Sequence, residues 1–157
     1  MMAEGISLPF VRQYPIESVA DLPIVAEVFE HCRVIPTPQA YTQFHQRIGE
    51  SGVAVASGPI AASPMHLVLH DLVAMDQFFY LYTDELEALR AFAARLEPFY
   101  EARLDAVVES EAEVVFWAAN YNRDLTWPPF LEQEIAPWLR RAADRLHAAR
   151  KLLLTHM

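Results

Sequence analysis

One stretch in the second half of the chain concentrates the side chains that do chemistry. Residues 118–127 read AANYNRDLTW and hold two amides (Asn120 and Asn122), a carboxylate (Asp124), a guanidinium (Arg123) and two aromatic rings (Tyr121 and Trp127). The amides and the carboxylate offer donors and acceptors that orient a polar ligand, and the rings offer flat walls. The plainer alternative is that Asn120 and Asn122 make Asx-turns and Asp124 caps a turn. Position favours the ligand reading, because the loop follows a short apolar run, and loops leaving the carboxyl ends of parallel strands carry function. Asp124 is then the candidate acid–base group, with Asn120, Tyr121, Asn122, Arg123 and Trp127 as binding residues. A second candidate catalytic residue, His156, directly follows the apolar run KLLLT, so its ring is expected at the same end of the sheet.

Other groups carry less. His66 and His70 stand four apart in HLVLH and share a helix face, but the HExxH context of a metal helix is absent, so an ordinary pair is the favoured reading. His31, His45 and His147 fall on helices and are expected to face solvent. Cys32, the single cysteine, reads as a small buried apolar group near a helix end. With one cysteine, an internal disulfide and a cysteine-based zinc finger are excluded, and a reducing cytoplasm fits. The chain has four glycines and neither a glycine-rich phosphate loop nor a Gly-x-Ser-x-Gly elbow.

The elements that must position these groups follow from the apolar pattern. Residues 1–17 read as an extended arm. Ser18 is expected to cap a helix to about Cys32, with Asp21 as capping-box partner and Pro23 in the first turn. Thr37-Pro38 starts a second helix that ends at Gly49. Three short apolar runs, near residues 53–57, 114–118 and 151–155, suit strands buried on both faces. Between them lie helices begun by Ser63-Pro64, by Asp76, by Thr83 (the longest, to about Ser110, with Pro98 inside) and by Pro128-Pro129 (to about Ala149). Strands joined by helical crossovers lie parallel, so all three are expected in one parallel sheet in sequence order. Asn120, Asn122, Asp124 and His156 then gather at one end of it.

Composition narrows the partners. An apolar share of 54% with 21% charged residues is globular, and no apolar run approaches the roughly 18 residues that suggest a membrane helix. No basic segment followed by an apolar one marks a signal peptide at MMAEGISLPF. A net charge of −9 argues against nucleic acid, whose phosphates require a basic surface.

The segment NYNRDLTWPPFLEQEIAPWLRRAADRLHAARKLLLTH resembles the loop, helix and strand in the middle of the uroporphyrinogen decarboxylase superfamily, which also holds cobalamin-dependent methyltransferases acting on methylated thiols, amines and alcohols. Upstream, SGPIAASPMHLVLHDLVAMDQFFYLYTDELEAL is similar to its strand-turn-helix, aromatic segment and long helix. The likeness covers roughly residues 50–157 well and the first 50 loosely. It implies an α/β fold that is part of a TIM (β/α)8 barrel: an N-terminal helical segment, 1–50, and a central βαβαβ part, 51–157. It also implies that residues 120–127 line a pocket at the carboxyl ends of the strands and that His156 stands at the mouth of the next strand. His70 falls near the pocket tyrosine of the decarboxylases and is carried as a substrate-binding position. The decarboxylases' arginine-rich N-terminal segment, early catalytic aspartate and late histidine would lie outside this chain. In the methyltransferases a His-x-Cys pair binds zinc at the place that resembles His156, which Met157 follows here.

The expectation is a fragment of a uroporphyrinogen decarboxylase-like carboxy-lyase acting on a tetrapyrrole or related polycarboxylate, with no cofactor. One alternative is a corrinoid-dependent, zinc-assisted methyltransferase with His156 as a metal ligand. The other is a non-catalytic truncated or split-gene product. A small-molecule substrate is the expected partner, with no nucleic acid and no membrane. Three strands with two open edges make the isolated chain a poor enzyme prone to self-association.

Overall fold

A computed structural model describes residue 11 and residues 13–118 and 126–156. Helix α1, Leu22–His31, is followed by α2, Pro38–Ile48, and then by strand β1, Val55–Ser57. Next come α3, Pro64–Leu67, a π-helical turn, Val68–Leu72, then α4, Met75–Asp84, and α5, Leu86–Val108. Strand β2, Val114–Phe116, leads to α6, Pro128–Phe130, a second π-helical turn, Leu131–Ile135, α7, Ala136–Ala148, and strand β3, Leu152–Leu154. The three strands form one parallel sheet in the order β1-β2-β3, as the strand–helix alternation requires. Val55, Val114 and Leu152 stand level across it, as do Ser57, Phe116 and Leu154.

The chain starts and stops its helices largely with local chemistry. Asp21 Oδ2 accepts from the Ser18 backbone N–H at 2.9 Å, completing the capping box over a 3-10 turn, Val19–Asp21, that runs into α1. Pro23 is the second residue of α1 and Pro38 the first of α2, where a missing N–H costs no helical bond. Gly49 ends α2 with φ 50, in the left-handed region where a side chain is unfavourable. The Ser63 hydroxyl accepts from His66 N at 3.0 Å and caps α3.

Two caps differ from expectation. Ala74, not Asp76, precedes α4, and Asp76 lies in its first turn. Glu85, not Thr83, precedes α5, while the Thr83 hydroxyl donates back to Phe79 O at 2.8 Å within α4. Cys32, the residue at which α1 ends and the backbone becomes extended, is exposed rather than buried.

The core lies on one side of the sheet. Val115 and Trp117 from the β2 segment pack with Leu96, Tyr100 and Leu104 of α5 and with Ala142 and Leu146 of α7. Helix α1 packs along α5, and Arg95 of α5 holds Glu30 with two hydrogen bonds, Nε–Oε1 at 2.6 Å and Nη2–Oε2 at 3.0 Å. The buried Lys151 ammonium donates to Ser110 O at 2.6 Å and Ala112 O at 2.7 Å, fixing the turn between α5 and β2 to the start of β3.

Burial on both faces does not hold for the strands. Successive side chains alternate across a sheet. Ala56, Val115 and Leu153 face the helices. Val55, Val114, Phe116, Leu152 and Leu154 face the other way, with Leu152 64% and Leu154 46% exposed. The apolar runs were long enough for two covers, but the described helices supply one. Among the described residues, no helix is long and apolar enough to cross a membrane.

Candidate functional site at the carboxyl ends of the strands

Three segments leave the sheet at the same end. After β1, the Gly58 N–H donates to Phe116 O at 2.7 Å, and a Cβ on Gly58 would stand 2.8 Å from Trp117 Cε3. The first loop therefore crosses the face of Trp117 where only hydrogen fits. Trp117 Nε1–H donates to Ala62 O at 3.3 Å, and the Tyr100 hydroxyl donates to Ala61 O at 3.3 Å, so two buried rings pin that loop from below. Burial pushes the Tyr100 phenol well above its ordinary value.

His66 is the buried polar centre of this segment, 2% exposed. Its Nδ1 accepts from the Ala62 N–H at 3.0 Å, which places the proton of the neutral ring on Nε2. Burial, reinforced by His70, holds its pKa down to about 4. The His66 and His70 rings meet edge to face, centroids 5.9 Å apart, although His66 lies in α3 and His70 in the π turn after it. His70 is half-buried, and its Nδ1 lies 2.8 Å from Asp71 Oδ1.

At the end of β2 the backbone of Ala118 is left-handed, φ 70, unusual for a residue with a Cβ. Its N–H donates to Pro59 O at 2.9 Å, and its carbonyl accepts from His156 N at 3.2 Å and from the Thr155 hydroxyl at 3.0 Å. Ala118 thus ties the exits of all three strands together, and His156, exposed, stands beside the point where the β2 loop departs.

Asn120, Tyr121, Asn122, Arg123 and Asp124 lie outside the described residues. The structure does describe their flanks, Ala118 and Thr126, both buried. Trp127 is the binding candidate of this stretch that the structure describes. It is half-buried in a cluster of rings, stacked on Phe130 with centroids 4.8 Å apart and touching Phe79 at 5.2 Å and Tyr82 at 5.3 Å. That packing holds its ring at the entry to α6. His31, His45 and His147 are exposed, as expected.

His66, Gly58 and Ala118 are the positions that sequence reasoning undervalued. The Ser57-Gly58-Pro59 run was legible as a strand end, but nothing in it signals that Trp117 lies across the glycine. Among the described residues, no group of three or more His, Cys, Asp and Glu side chains is placed to hold a metal ion. No family model matches the chain, and neither a curated protein nor a solved structure matches it.

Proposed function

We propose that this chain is a wall of a (β/α)8-barrel enzyme similar to the uroporphyrinogen decarboxylase superfamily, with its pocket at the carboxyl ends of β1, β2 and β3. The observation that carries the reading is the two-faced sheet. Three parallel strands in sequence order have helices on one face and Val55, Val114, Phe116, Leu152 and Leu154 on the other. An inner apolar face with an outer helical ring is how such a barrel is built. The chemistry is loss of a carboxyl group from a tetrapyrrole or related polycarboxylate, with Asp124 and His156 as proton-handling groups and Asn120, Asn122 and Arg123 binding substrate. His70, steadied by Asp71, lines the same end.

A second reading, corrinoid-dependent methyl transfer assisted by zinc, is favoured by one observation. The described segments leaving the carboxyl ends, residues 57–74, 117–118, 126–127 and 155–156, carry His66, His70 and His156 and no lysine or arginine. Carboxylate substrates call for cations, whereas a metal calls for imidazoles. The described residues do not by themselves compose a zinc site, so no step is derived through the metal.

Incubation of the protein with uroporphyrinogen, followed by mass spectrometry of the porphyrins, tests the first reading. Stepwise loss of carbon dioxide that Asp124→Asn abolishes supports it. An unchanged substrate together with stoichiometric zinc that His156→Ala releases replaces it with the second. Neither activity nor zinc rejects both.

A further inference from the structure

We propose that Ala118 is a positioning residue for His156: its left-handed backbone makes a bulge just past β2, and that bulge sets how the His156 side chain leaves the sheet. The inference rests on the reading of His156 as a proton-handling group, which it deepens.

The hydrogen bonds trace the bulge. In a parallel ladder a residue directs its N–H and C=O to one neighbour, and the next residue directs both to the other. Phe116 turns to β1, because its carbonyl accepts from Gly58 N at 2.7 Å. Trp117 turns to β3, because its N–H donates to Leu154 O at 2.9 Å. An extended Ala118 would therefore turn both of its groups to the β1 side. Its N–H does so and donates to Pro59 O at 2.9 Å. Its carbonyl does the opposite and accepts from His156 N and the Thr155 hydroxyl, on the β3 side. One residue thus serves both neighbours, and its φ of 70 is what turns the two groups apart.

The register changes at the same place. Phe116 stands level with Leu154, so a regular ladder would give the His156 N–H to Trp117 O. That N–H goes one residue further, to Ala118 O. Two residues past β2, Trp117 and Ala118, thus face one past β3, Thr155, which is the count that defines a bulge. His156 is thereby fixed to the root of the segment that leaves β2 rather than to the strand itself.

Ala118 takes this conformation against its own preference. Glycine adopts positive φ without a steric cost, but Ala118 is fully buried and carries a methyl group. The bonds on its N–H and its carbonyl hold it there. Backbones so over-determined cluster at functional sites, and bulges gather at barrel rims and beside active sites, where they re-aim side chains. The exposed imidazole of His156 is the side chain next to this one.

Two substitutions separate conformation from packing. Ala118→Gly permits the left-handed backbone, and Ala118→Val opposes it, since a branched side chain disfavours positive φ. Hydrogen exchange at the His156 amide reads the bulge, and turnover of uroporphyrinogen by the full chain reads its use. The glycine variant is expected to match the wild type in both. The valine variant is expected to exchange that amide about tenfold faster and to lose about tenfold or more in kcat with KM unchanged. A valine variant with full kcat or a fully protected amide overturns the proposal, as does a glycine variant that loses kcat to the same extent. A wild type without turnover removes the enzymatic reading but not the positioning. The imidazole NMR signal that His156→Ala abolishes must then shift in the valine variant and stay in the glycine variant, or the proposal falls. Should the valine variant lose its cooperative melt, Thr155→Val replaces it by removing one donor from Ala118 O. It is expected to speed exchange of the His156 amide about fivefold, and an unchanged rate overturns the proposal.

Discussion

The backbone N–H of His156 donates to the carbonyl of Ala118 at 3.2 Å and, with the Thr155 hydroxyl on the same carbonyl at 3.0 Å, brings the exit of β3 to the exit of β2. The anchoring uses the main chain of His156 and the hydroxyl of Thr155, which leaves the exposed imidazole available for chemistry. Removing the ring therefore separates fold from function. His156→Ala should change stability by less than about 0.5 kcal/mol, as surface substitutions do. It should lower turnover by about 10²-fold or more if the ring moves a proton in the reaction. Denaturant unfolding and steady-state kinetics on the same preparation check both halves. A large loss of stability would make His156 a structural residue.

His66 makes stability depend on pH. Its folded pKa, about 4, lies below the 6.5 of a free imidazole, so the unfolded chain binds a proton that the folded chain refuses. Stability should fall as pH drops from about 6.5 towards 4 and level off below, a loss of up to roughly 3 kcal/mol from this group. Protonation at Nδ1 would also turn away the Ala62 N–H that the ring now accepts. His66→Asn, whose amide oxygen can accept from Ala62, should flatten that part of the profile. Urea midpoints from pH 4 to pH 8 read it, and parallel profiles for the two proteins would refute the assignment.

Gly58→Ala places a methyl 2.8 Å from Trp117 Cε3 and 3.0 Å from Phe116 O. Neither neighbour can retreat, since Trp117 is fully buried and the Phe116 carbonyl already holds the Gly58 N–H. The expected cost is about 1–3 kcal/mol, the range for overpacking. Thermal melting monitored by circular dichroism should show it. The same substitution at Gly52, where an added Cβ would meet only Ile48 side-chain carbons at 3.4 Å or more, is the control and should be nearly silent.

What the sequence disclosed and what it hid divide along physical lines. The strands were legible because apolar runs such as VVFW between helix signals have few alternative readings. Their parallel order followed from the crossovers. The caps at Ser18, Ser63 and the Pro-led starts were legible because they are local. Asp76 and Thr83 misled because a residue suited to capping also sits comfortably inside a first or last turn. One-sided burial was hidden, since Leu152 and Leu154 look the same whether a neighbour covers them or not. Trp127 was legible as an aromatic beside a polar loop, but its ring partners Phe79 and Tyr82 come from α4, far away in sequence. The wide turn at Leu131–Ile135 left a trace: Phe130 and Ile135, both fully buried, stand five apart, a step that a regular helix would aim to different sides.

The one-sided sheet also bears on the order in which the molecule forms. Each strand pair joins segments separated by an entire helical crossover, so the ends of a long loop must meet before a single ladder bond is gained. The helices between them need no such meeting to begin. Their apolar stripes are therefore expected first, and the sheet is expected to close late, with β1, β2 and β3 arriving on a surface already made by α5 and α7. Each refolding molecule then presents Val55, Leu152 and Leu154 to other molecules from the moment the ladder closes. Refolding yield should consequently fall as protein concentration rises, with the helical far-ultraviolet signal recovering before the fluorescence of Trp117, read in a variant with Trp127 and Trp138 replaced by Phe. Simultaneous recovery of the two signals, with a yield indifferent to concentration, would place sheet closure alongside the helices instead.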